Sequence, residues 1–487
     1  MKKYLNKLNQ IIVMKKINKM FPLAGLTLLI IATIFFIQYF FDSVLINTIL
    51  VFVILLTFVY IGWFTKTSQS EKYHTENRKT GSLRTMASIF TVIGAPHFAI
   101  FATLAIFYGF WSLAFYIGIL AGWIAFAFVV KKARTYIPND AHSFPDIAAK
   151  EVGRSTALIL TITGLLFAIG VVVAQYILGA QLIEAISGIN YTISVLLIGL
   201  VVFLYLYWGG YKAILTTDLF QGLMMFLFTL ILILFVFGTA TSENINQVFT
   251  YESSLPLLPI IPLLFIGGFL AGFGATSTWQ RVLNAKSDEV ARKSLINAGV
   301  IALVWGSMIV LLGLFISVTN PDINPGSAFI DFVISGLPVW VVGIVIIALL
   351  TSLISTSDTE IFMSSILFGK EISRKNKNKL QIKKTRKLIA LFSLLAVLGA
   401  LFLQDLQQAF GVLLNLAYIS GPIAMAIVLG RGGKNQKIKQ KIYLSSLALA
   451  FISFIAVWIF VNDFFSWWAL IIIGISSFPL LIKGISK

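Results

Sequence analysis

The sequence has no cysteine and little acidic charge. Without cysteine in its 487 residues, the chain can form neither disulfide bonds nor a thiol-based active site. Asp and Glu number 19 against 37 Lys and Arg, and charged residues make up only 11% of the chain. Hydrophobic residues make up 58%, and the mean hydropathy is +0.93. This composition is typical of a membrane protein and leaves little chain for a soluble domain.

Apolar runs long enough to cross a bilayer follow one another along the whole chain. A hydrocarbon core about 30 Å thick needs roughly 20 apolar residues per helix. We therefore predict an all-α polytopic membrane protein with fourteen transmembrane helices, at about 21–41, 44–64, 86–109, 110–130, 156–183, 190–210, 213–239, 257–280, 294–318, 338–366, 387–404, 408–430, 441–461 and 464–484.

The basic residues occupy one side of this predicted topology. All 37 Lys and Arg fall in the two terminal segments and in every second loop, whereas intervening loops such as "TSENINQVFTYESS" have none. Basic loops stay on the cytoplasmic side of a membrane. We therefore expect a multi-pass protein of the cell (inner) membrane with both termini in the cytoplasm. The net charge of +18 follows from this topology, so we expect no nucleic-acid partner.

Two predicted helices are interrupted by glycine or proline at matching places. The third contains "TVIGAPHFAIF", with Gly94 and Pro96, and the eighth contains the glycine-rich "FIGGFLAGFGATSTWQR". Because five spans separate them, these helices cross the membrane in opposite directions. Broken helices at corresponding positions of two inverted halves point to a transporter's binding site. The alternative is that the glycines only allow close helix packing.

The stretch "LLTSLISTSDTE", Leu349–Glu360, places many oxygen atoms inside an apolar run. Hydroxyl and carbonyl oxygens suit a hard monovalent cation. The alternative is that Ser and Thr bond back to their own helix or to a neighbouring helix. On a helix, spacing of i, i+3 and i+4 places four hydroxyl groups on one face: Ser352, Ser355, Thr356 and Thr359.

Two carboxylates also fall within predicted membrane helices. Asp358 belongs to the stretch above, and Asp218 stands in "LTTDLFQ" near the cytoplasmic end of the seventh helix. A carboxylate inside a membrane needs a partner or water. We expect no Lys or Arg at the same depth, so the predicted partner is a bound cation.

Four motifs in order resemble the sodium/solute symporters, the family of sodium/proline, sodium/sugar and sodium/sialic acid carriers. They are "VYIGWFTKTSQSEKYHTENRKTGSL", "YWGGYKAILTTDLFQ", "FGATSTWQRVLNAKS" and "LLTSLISTSDTEIFMSSILFGKEI". The third includes Arg281 at the family's usual arginine, and the fourth closes with Glu371. The resemblance runs from about Val59 to Arg431.

The resemblance implies a LeuT-type fold in which ten core helices form two inverted five-helix repeats. The third to twelfth predicted spans are these ten, which we number core helices 1–10. An additional helix at 21–41 departs from the family's usual single helix before the core. The implied regions are an N-terminal region with two peripheral helices at 1–85, a first repeat at 86–239, a second repeat at 257–430, and two peripheral C-terminal helices at 431–487.

The resemblance also implies the ligands of the coupling ion. The main sodium site lies between core helices 1 and 8, with the carbonyl groups of Gly94, His97 and Ser352 and the hydroxyl groups of Ser355 and Thr356. A second ion site, or the route by which sodium leaves, involves Asp218, Asp358 and Thr359. No cofactor is implied beyond Na⁺ as the coupling ion.

Candidate solute-binding residues follow from the same region. The His97 side chain is expected to bond to the solute or to carry a proton, with a packing role as the alternative. Gln175 in core helix 3 is a candidate solute contact, unless it packs between helices. Gly268 and Gly272 replace the aromatic residues that proline carriers have in core helix 6. They argue against proline and are expected to leave room for a larger solute.

We therefore predict a secondary transporter that carries a small organic solute into the cell with sodium by alternating access. One alternative is the same fold driven by protons, with His97 or Asp218 as the proton carrier. Another is a membrane sensor that has kept the transporter fold. A membrane enzyme is disfavoured, because His74 and His142 stand in separate cytoplasmic loops and no nucleotide or metal motif is present.

Overall fold

A computed structural model describes residues 43–94, 96–135, 143–253, 260–325, 327–375, 380–403, 427–428 and 436–460. The predicted spans at 21–41 and 464–484 lie outside the described residues, as does nearly all of 408–430. The helices are α1 Ser43–Phe64, α2 Ser70–Thr75, α3 Ser82–Phe90, α4 Pro96–Tyr108, α5 Ala114–Thr135, α6 Phe144–Glu151, α7 Arg154–Ser187, α8 Tyr191–Thr239, α9 Ser242–Phe249, α10 Ile260–Gly274, α11 Thr276–Asn284, α12 Asp288–Thr319, α13 Ala328–Ser335, α14 Val339–Lys375, α15 Ile382–Phe402 and α16 Gln436–Phe460.

Seven described helical segments are long and apolar enough to cross a membrane, or eight if the bent pair α10 and α11 counts as one span. The two longest of the seven segments each include parts of two predicted spans. The segment His97–Thr135 contains a 3₁₀ turn at Gly109–Leu113 between α4 and α5. The 49 residues of α8 would form a straight rod about 74 Å long, more than twice the thickness of the hydrocarbon core. The predicted count of fourteen is not confirmed.

The chain reverses direction within α8 at Gly210. This residue has φ 56° and ψ −147°, a conformation that only glycine adopts without strain. The Tyr205 hydroxyl lies 2.7 Å from the Thr217 hydroxyl, although twelve residues of straight helix would separate them by about 18 Å. The two arms of α8 therefore fold back on each other, as the predicted core helices 4 and 5 require.

The core helices correspond to described elements as follows: core helix 1 is α3 and α4, 2 is α5, 3 is α7, 4 and 5 are the arms of α8, 6 is α10 and α11, 7 is α12, 8 is α14 and 9 is α15. Core helix 1 packs against core helix 7, and core helix 6 packs against core helix 2. Core helix 3 packs against 4, and core helix 8 against 9. A two-fold axis that relates helices 1–5 to helices 6–10 would exchange the pair 1–7 with the pair 6–2, and the pair 3–4 with the pair 8–9. The boundaries 86–239 and 257–430 stay a prediction, and α3 begins at Ser82, four residues earlier.

Residues 70–81, which we call the leader, hold the start of core helix 1 in place. The buried Tyr73 hydroxyl donates to the Leu206 carbonyl at 2.9 Å, and burial raises the pKa of this phenol so that it stays protonated. Backbone hydrogen bonds join Thr80 to Asn284 and Lys286, at the end of core helix 6. The leader therefore connects core helix 1 to the turn of α8 and to core helix 6.

Substitution of Gly210 by Ala tests the reversal. An added Cβ would meet the ring and backbone of Tyr73, and the residue would keep an unfavourable positive φ. We expect Gly210→Ala to destabilise the purified protein by about 1–3 kcal/mol in thermal unfolding. The matched control is Gly238→Ala, where nothing lies within 4 Å of the added atom. Equal stability of the two variants would contradict the reversal.

Candidate functional site

Core helix 1 is interrupted where the sequence predicts it. The helix α3 ends at Phe90, α4 begins at Pro96, and Gly94 belongs to neither. The Gly94 carbonyl accepts a hydrogen bond from the His97 amide at 3.1 Å. The predicted break in the helix is therefore confirmed, and it leaves peptide groups of an otherwise apolar span without their usual helical partners.

The break lies directly against side chains of core helices 3 and 8. A Cβ added to Gly94 would collide with the Thr356 hydroxyl and with the Gln175 side-chain nitrogen. Only a residue without a side chain allows the backbone to come this close. Gly94 therefore brings the peptide groups of the break next to the hydroxyl-bearing face of α14.

The hydroxyl face of α14 points inward and not toward lipid. Ser352, Ser355 and Thr356 are 1%, 1% and 4% exposed. The Thr356 hydroxyl donates to the Ser352 carbonyl at 3.2 Å, and the Ser352 hydroxyl has no partner among the described residues. The Ser355 hydroxyl donates to Asp218 at 2.8 Å. Gly94 at the break thus faces the three predicted sodium ligands of α14, and Ser355 links them to Asp218.

The His97 side chain points away from α14. Its ring stacks on Phe101 at 4.8 Å between centroids, and Nδ1 lies 3.2 Å from the Tyr116 hydroxyl. Phe115 and Trp305 complete an aromatic surround from core helices 2 and 7. The imidazole therefore belongs to an aromatic cluster beside the break, and within the described residues Nε2 has no hydrogen-bond partner.

Gln175 faces the break from core helix 3. Its side chain is 1% exposed, and its nitrogen lies close to Gly94. The side-chain oxygen has no hydrogen-bond partner in the described part of the chain. A buried amide with an unpaired oxygen is costly unless another group binds there. This geometry agrees with the expectation that Gln175 contacts a ligand.

Gly268 and Gly272 do not line a cavity in the way the sequence predicts. A Cβ on Gly268 would collide with the Phe115 carbonyl, and one on Gly272 would lie 2.7 Å from the Ile119 carbonyl. The backbone of core helix 2 fills the space that these glycines leave. Their physical role here is close packing of core helices 2 and 6, so the expectation that they make room for a larger solute is wrong.

The expectation that no basic residue lies at the depth of the carboxylates is also wrong. Arg281 is 1% exposed, and its Nη2 lies 3.7 Å from the carboxylate of Asp218. The sequence pattern assigns this arginine to a cytoplasmic loop, but α11 carries it between the core helices. Asp218 therefore has a charged partner within the protein.

Arg281 connects four core helices. Its Nε donates to the Ser88 carbonyl and hydroxyl of core helix 1, each at 2.9 Å. Nη1 donates to the Ser277 carbonyl of its own helix at 3.1 Å, and Nη2 donates to Thr359 of core helix 8 at 2.7 Å. Ser88 in turn donates to Asp218 of core helix 5. We call Arg281, Asp218, Ser88 and Thr359 the arginine network.

Asp358 lies beside the arginine network and has different partners. One carboxylate oxygen accepts from the Tyr205 hydroxyl at 2.6 Å, and the other has no partner among the described residues. Glu360 is also buried, at 5% exposure. In the described part of the chain no three His, Asp or Glu side chains converge on one point that would hold a metal ion.

Sequence reasoning missed Ser88 and Tyr205, and it misplaced Arg281. The signal for Arg281 was its position seven residues after Gly274, too close to an interrupted helix for a free loop. Ser88 and Tyr205 had no comparable signal, because a single serine or tyrosine in a membrane helix does not reveal which neighbour it faces.

Comparison with known proteins decides the family. Residues 73–431, well over half of the chain, match the sequence model of the Sodium:solute symporter family. The chain belongs to this family. Sodium-coupled symport by alternating access, as predicted from the sequence, is therefore confirmed as its type of function.

Individual members of the family have low sequence identity to this chain. The Sodium/pantothenate symporter of Haemophilus influenzae is 28% identical over 352 residues, covering 66% of this chain and 72% of the relative. The Sodium/proline symporter 2 of Staphylococcus saprophyticus is 24% identical, covering 65% and 66%. The Sodium/sialic acid symporter NanT of Aliivibrio fischeri is 26% identical, covering 55% and 59%. The relatives are transporters, and the chain aligns with about six to seven tenths of their length.

Solved structures show the fold. A Na⁺-coupled sialic acid symporter in a substrate-bound outward-open state superposes with a TM-score of 0.72, at 18% identity, covering 90% of this chain and 96% of that one. Mhp1, a nucleobase-cation-symport-1 family transporter, gives a TM-score of 0.56 at 15% identity, covering 86% and 94%. The described residues are helical, and these neighbours have the LeuT fold, so the predicted fold type is confirmed.

Substitution of the adjacent residues Gly267 and Gly268 tests whether glycine is needed for core helix 6 to pack closely on core helix 2. We expect Gly268→Ala to destabilise the symporter by about 1–3 kcal/mol, because its Cβ would collide with the Phe115 carbonyl. Gly267→Ala is the control, since its nearest neighbour lies 3.9 Å away. The measurement is thermal unfolding in detergent, and a stable Gly268→Ala variant with altered solute binding would favour a pocket role instead.

Proposed function

We propose that this symporter carries a small organic solute into the cell together with Na⁺, through the contact between the break of core helix 1 and the hydroxyl face of core helix 8. The close approach of Gly94 to Thr356 and Gln175 carries this proposal. It places backbone and hydroxyl oxygens side by side in the interior of an apolar bundle. A small cation accepts such neutral oxygens as ligands.

The proposed main sodium ligands are the Gly94, His97 and Ser352 carbonyls and the Ser355 and Thr356 hydroxyls. The Ser352 hydroxyl, buried without a partner, supports a ligand at this place. Ser355 is already bonded to Asp218, which supports a continuous polar path from the main site to the proposed second ion site. Sodium bound here would have the Asp218 carboxylate within reach of its ligand shell.

We assign the release of sodium to the arginine network. While Arg281 holds Ser88, Thr359 and Asp218, it joins the cytoplasmic halves of core helices 1, 5, 6 and 8. Opening toward the cytoplasm requires Ser88 and α3 to move away from this group. Asp218, Asp358 and Thr359 are then the proposed second ion site or exit path. The membrane potential favours inward sodium movement by about 2.3 kcal/mol per charge per 100 mV.

Gln175 and His97 are the proposed contacts of the solute beside the sodium ion. Both lie at the break, Gln175 on the side of core helix 3 and His97 on the side of core helices 2 and 7. A solute would bind between these two side chains only when sodium has ordered the peptide groups of the break. This requirement is a physical basis for coupling, because each ligand then prefers the conformation that the other stabilises.

The observation that favours a proton-coupled carrier is the unpaired, buried oxygen of Asp358. A proton at this carboxylate would remove its buried charge without a metal ion. Transport measured with sodium replaced by choline at fixed pH separates the two candidates. Sodium coupling predicts loss of transport, whereas proton coupling predicts that transport continues and depends on the pH gradient.

Removal of two hydroxyl groups tests the main sodium site. Sodium at 100 times its dissociation constant stabilises a protein that binds it by about 2.7 kcal/mol. We expect the double variant Ser355→Ala, Thr356→Ala to lose this sodium-dependent stabilisation in thermal unfolding. The control is Ser365→Ala, a buried hydroxyl on the same helix that bonds only to the Ile361 carbonyl. An unchanged sodium response in the double variant would refute the assignment.

A double-mutant cycle tests the pairing of Arg281 with Asp218. Arg281→Met leaves a buried carboxylate without its partner, and we expect a loss of about 3–5 kcal/mol in stability. The combined variant Arg281→Met, Asp218→Asn removes both charges and is expected to be more stable than Arg281→Met alone. Additive losses in thermal unfolding would show that the two residues act independently.

A further inference from the structure

We propose that the solute of this symporter carries no net negative charge, so that the site takes neutral, zwitterionic or cationic compounds and rejects carboxylate anions. This inference rests on the proposed function and on the same site. It separates the chain from relatives whose names include pantothenate and sialic acid. The charges around the break of core helix 1 carry the argument.

The first observation is the absence of basic side chains where a solute would bind. Of the Lys and Arg residues that the structure describes, Arg281 alone is buried. The predicted core helix 10, at 408–430, contains neither Lys nor Arg in its sequence. An anionic group taken from water into this bundle therefore finds no other guanidinium or ammonium group to replace its hydration.

The second observation is that all three nitrogen atoms of Arg281 already bond to the protein. All three of its nitrogen atoms donate hydrogen bonds, to Ser88, Ser277 and Thr359, and Nη2 also faces Asp218. It reaches core helix 1 at Ser88, on the cytoplasmic arm and six residues before Gly94. Binding a solute carboxylate would break bonds that hold four helices together, so Arg281 is unsuited to recognise an anion.

The third observation is that carboxyl groups outnumber the guanidinium group near the site. Asp218 bonds to Ser355, and Asp358 and Glu360 follow Thr356 on the same helix, all three buried. Because Asp218 alone balances the charge of Arg281, ionisation of either of the other two carboxyl groups leaves an excess of negative charge. The N-terminus of α4 adds only about half a positive charge. A bound Na⁺ offsets part of this excess of negative charge. An anionic solute would add negative charge again.

The groups at the break agree with an uncharged or positively charged ligand. Gln175 presents an amide with an unpaired oxygen, which accepts a hydrogen bond from a hydroxyl, amide or ammonium group. A carboxylate has no proton to offer this oxygen. Around His97, Phe101, Phe115 and Tyr116 provide ring surfaces that suit apolar or cationic parts of a solute.

The test is a thermal-shift screen of the purified chain in sodium chloride and in choline chloride. The neutral and zwitterionic arm contains sugars, polyols, nucleosides, panthenol and proline. The anionic arm contains sugar acids, mono- and dicarboxylates, sialic acid and pantothenate, which differs from panthenol by a carboxylate in place of an alcohol. We expect sodium-dependent stabilisation only in the first arm, and panthenol to stabilise at least as well as pantothenate.

The outcomes separate the inference from the proposed function. Sodium-dependent stabilisation by an anion, above that of its neutral counterpart, would overturn the charge inference and leave sodium-coupled binding intact. A chain that sodium does not stabilise, alone or with any compound, would overturn both. For a compound that binds, Gln175→Leu is expected to weaken its affinity at least tenfold while the response to sodium alone persists. Unchanged affinity would contradict the position of the solute at Gln175.

Discussion

The structure depends on one constraint, that peptide groups released inside a membrane bundle must find partners within the protein. Core helix 1 releases them between Phe90 and Pro96. The glycine at position 94 lets this backbone lie against the Thr356 hydroxyl and the Gln175 side-chain nitrogen, so that polar groups from three core helices meet at one point. A helix break that would be costly elsewhere thereby becomes the place where we propose that a cation and a polar solute bind.

Charge balance is the second constraint, and it links the ion site to movement. Asp218 is buried, accepts a hydrogen bond from Ser355 at the proposed sodium site, and faces Arg281 of the arginine network. Any change in the charge near Asp218 alters how strongly Arg281 is held there. The same arginine bonds to Ser88 on α3, the first arm of core helix 1. We therefore propose that ion occupancy and the position of that arm are coupled through these neighbouring contacts.

The sequence predicted those features that depend on local chemistry. Gly94 and Pro96 interrupt any helix, and the hydroxyls of residues 352–356 fall on one face by helical spacing alone. Features that depend on three-dimensional packing were not predictable in this way. Glycines such as Gly268 look the same in a pocket and in a helix contact, and only the position of core helix 2 shows the difference. Arg281 was assigned to a loop because charge patterns locate a residue along the chain, not within the bundle.

The central claim is that the break of core helix 1 and the hydroxyl face of core helix 8 together enclose the coupling ion. An experimental structure of the chain, determined once in sodium chloride and once in choline chloride, tests it most directly. We expect an interrupted helix at residues 91–95 in both, and density between Gly94 and Thr356 only in sodium. A continuous helix through these residues, or residues 352–356 facing lipid, would contradict the account.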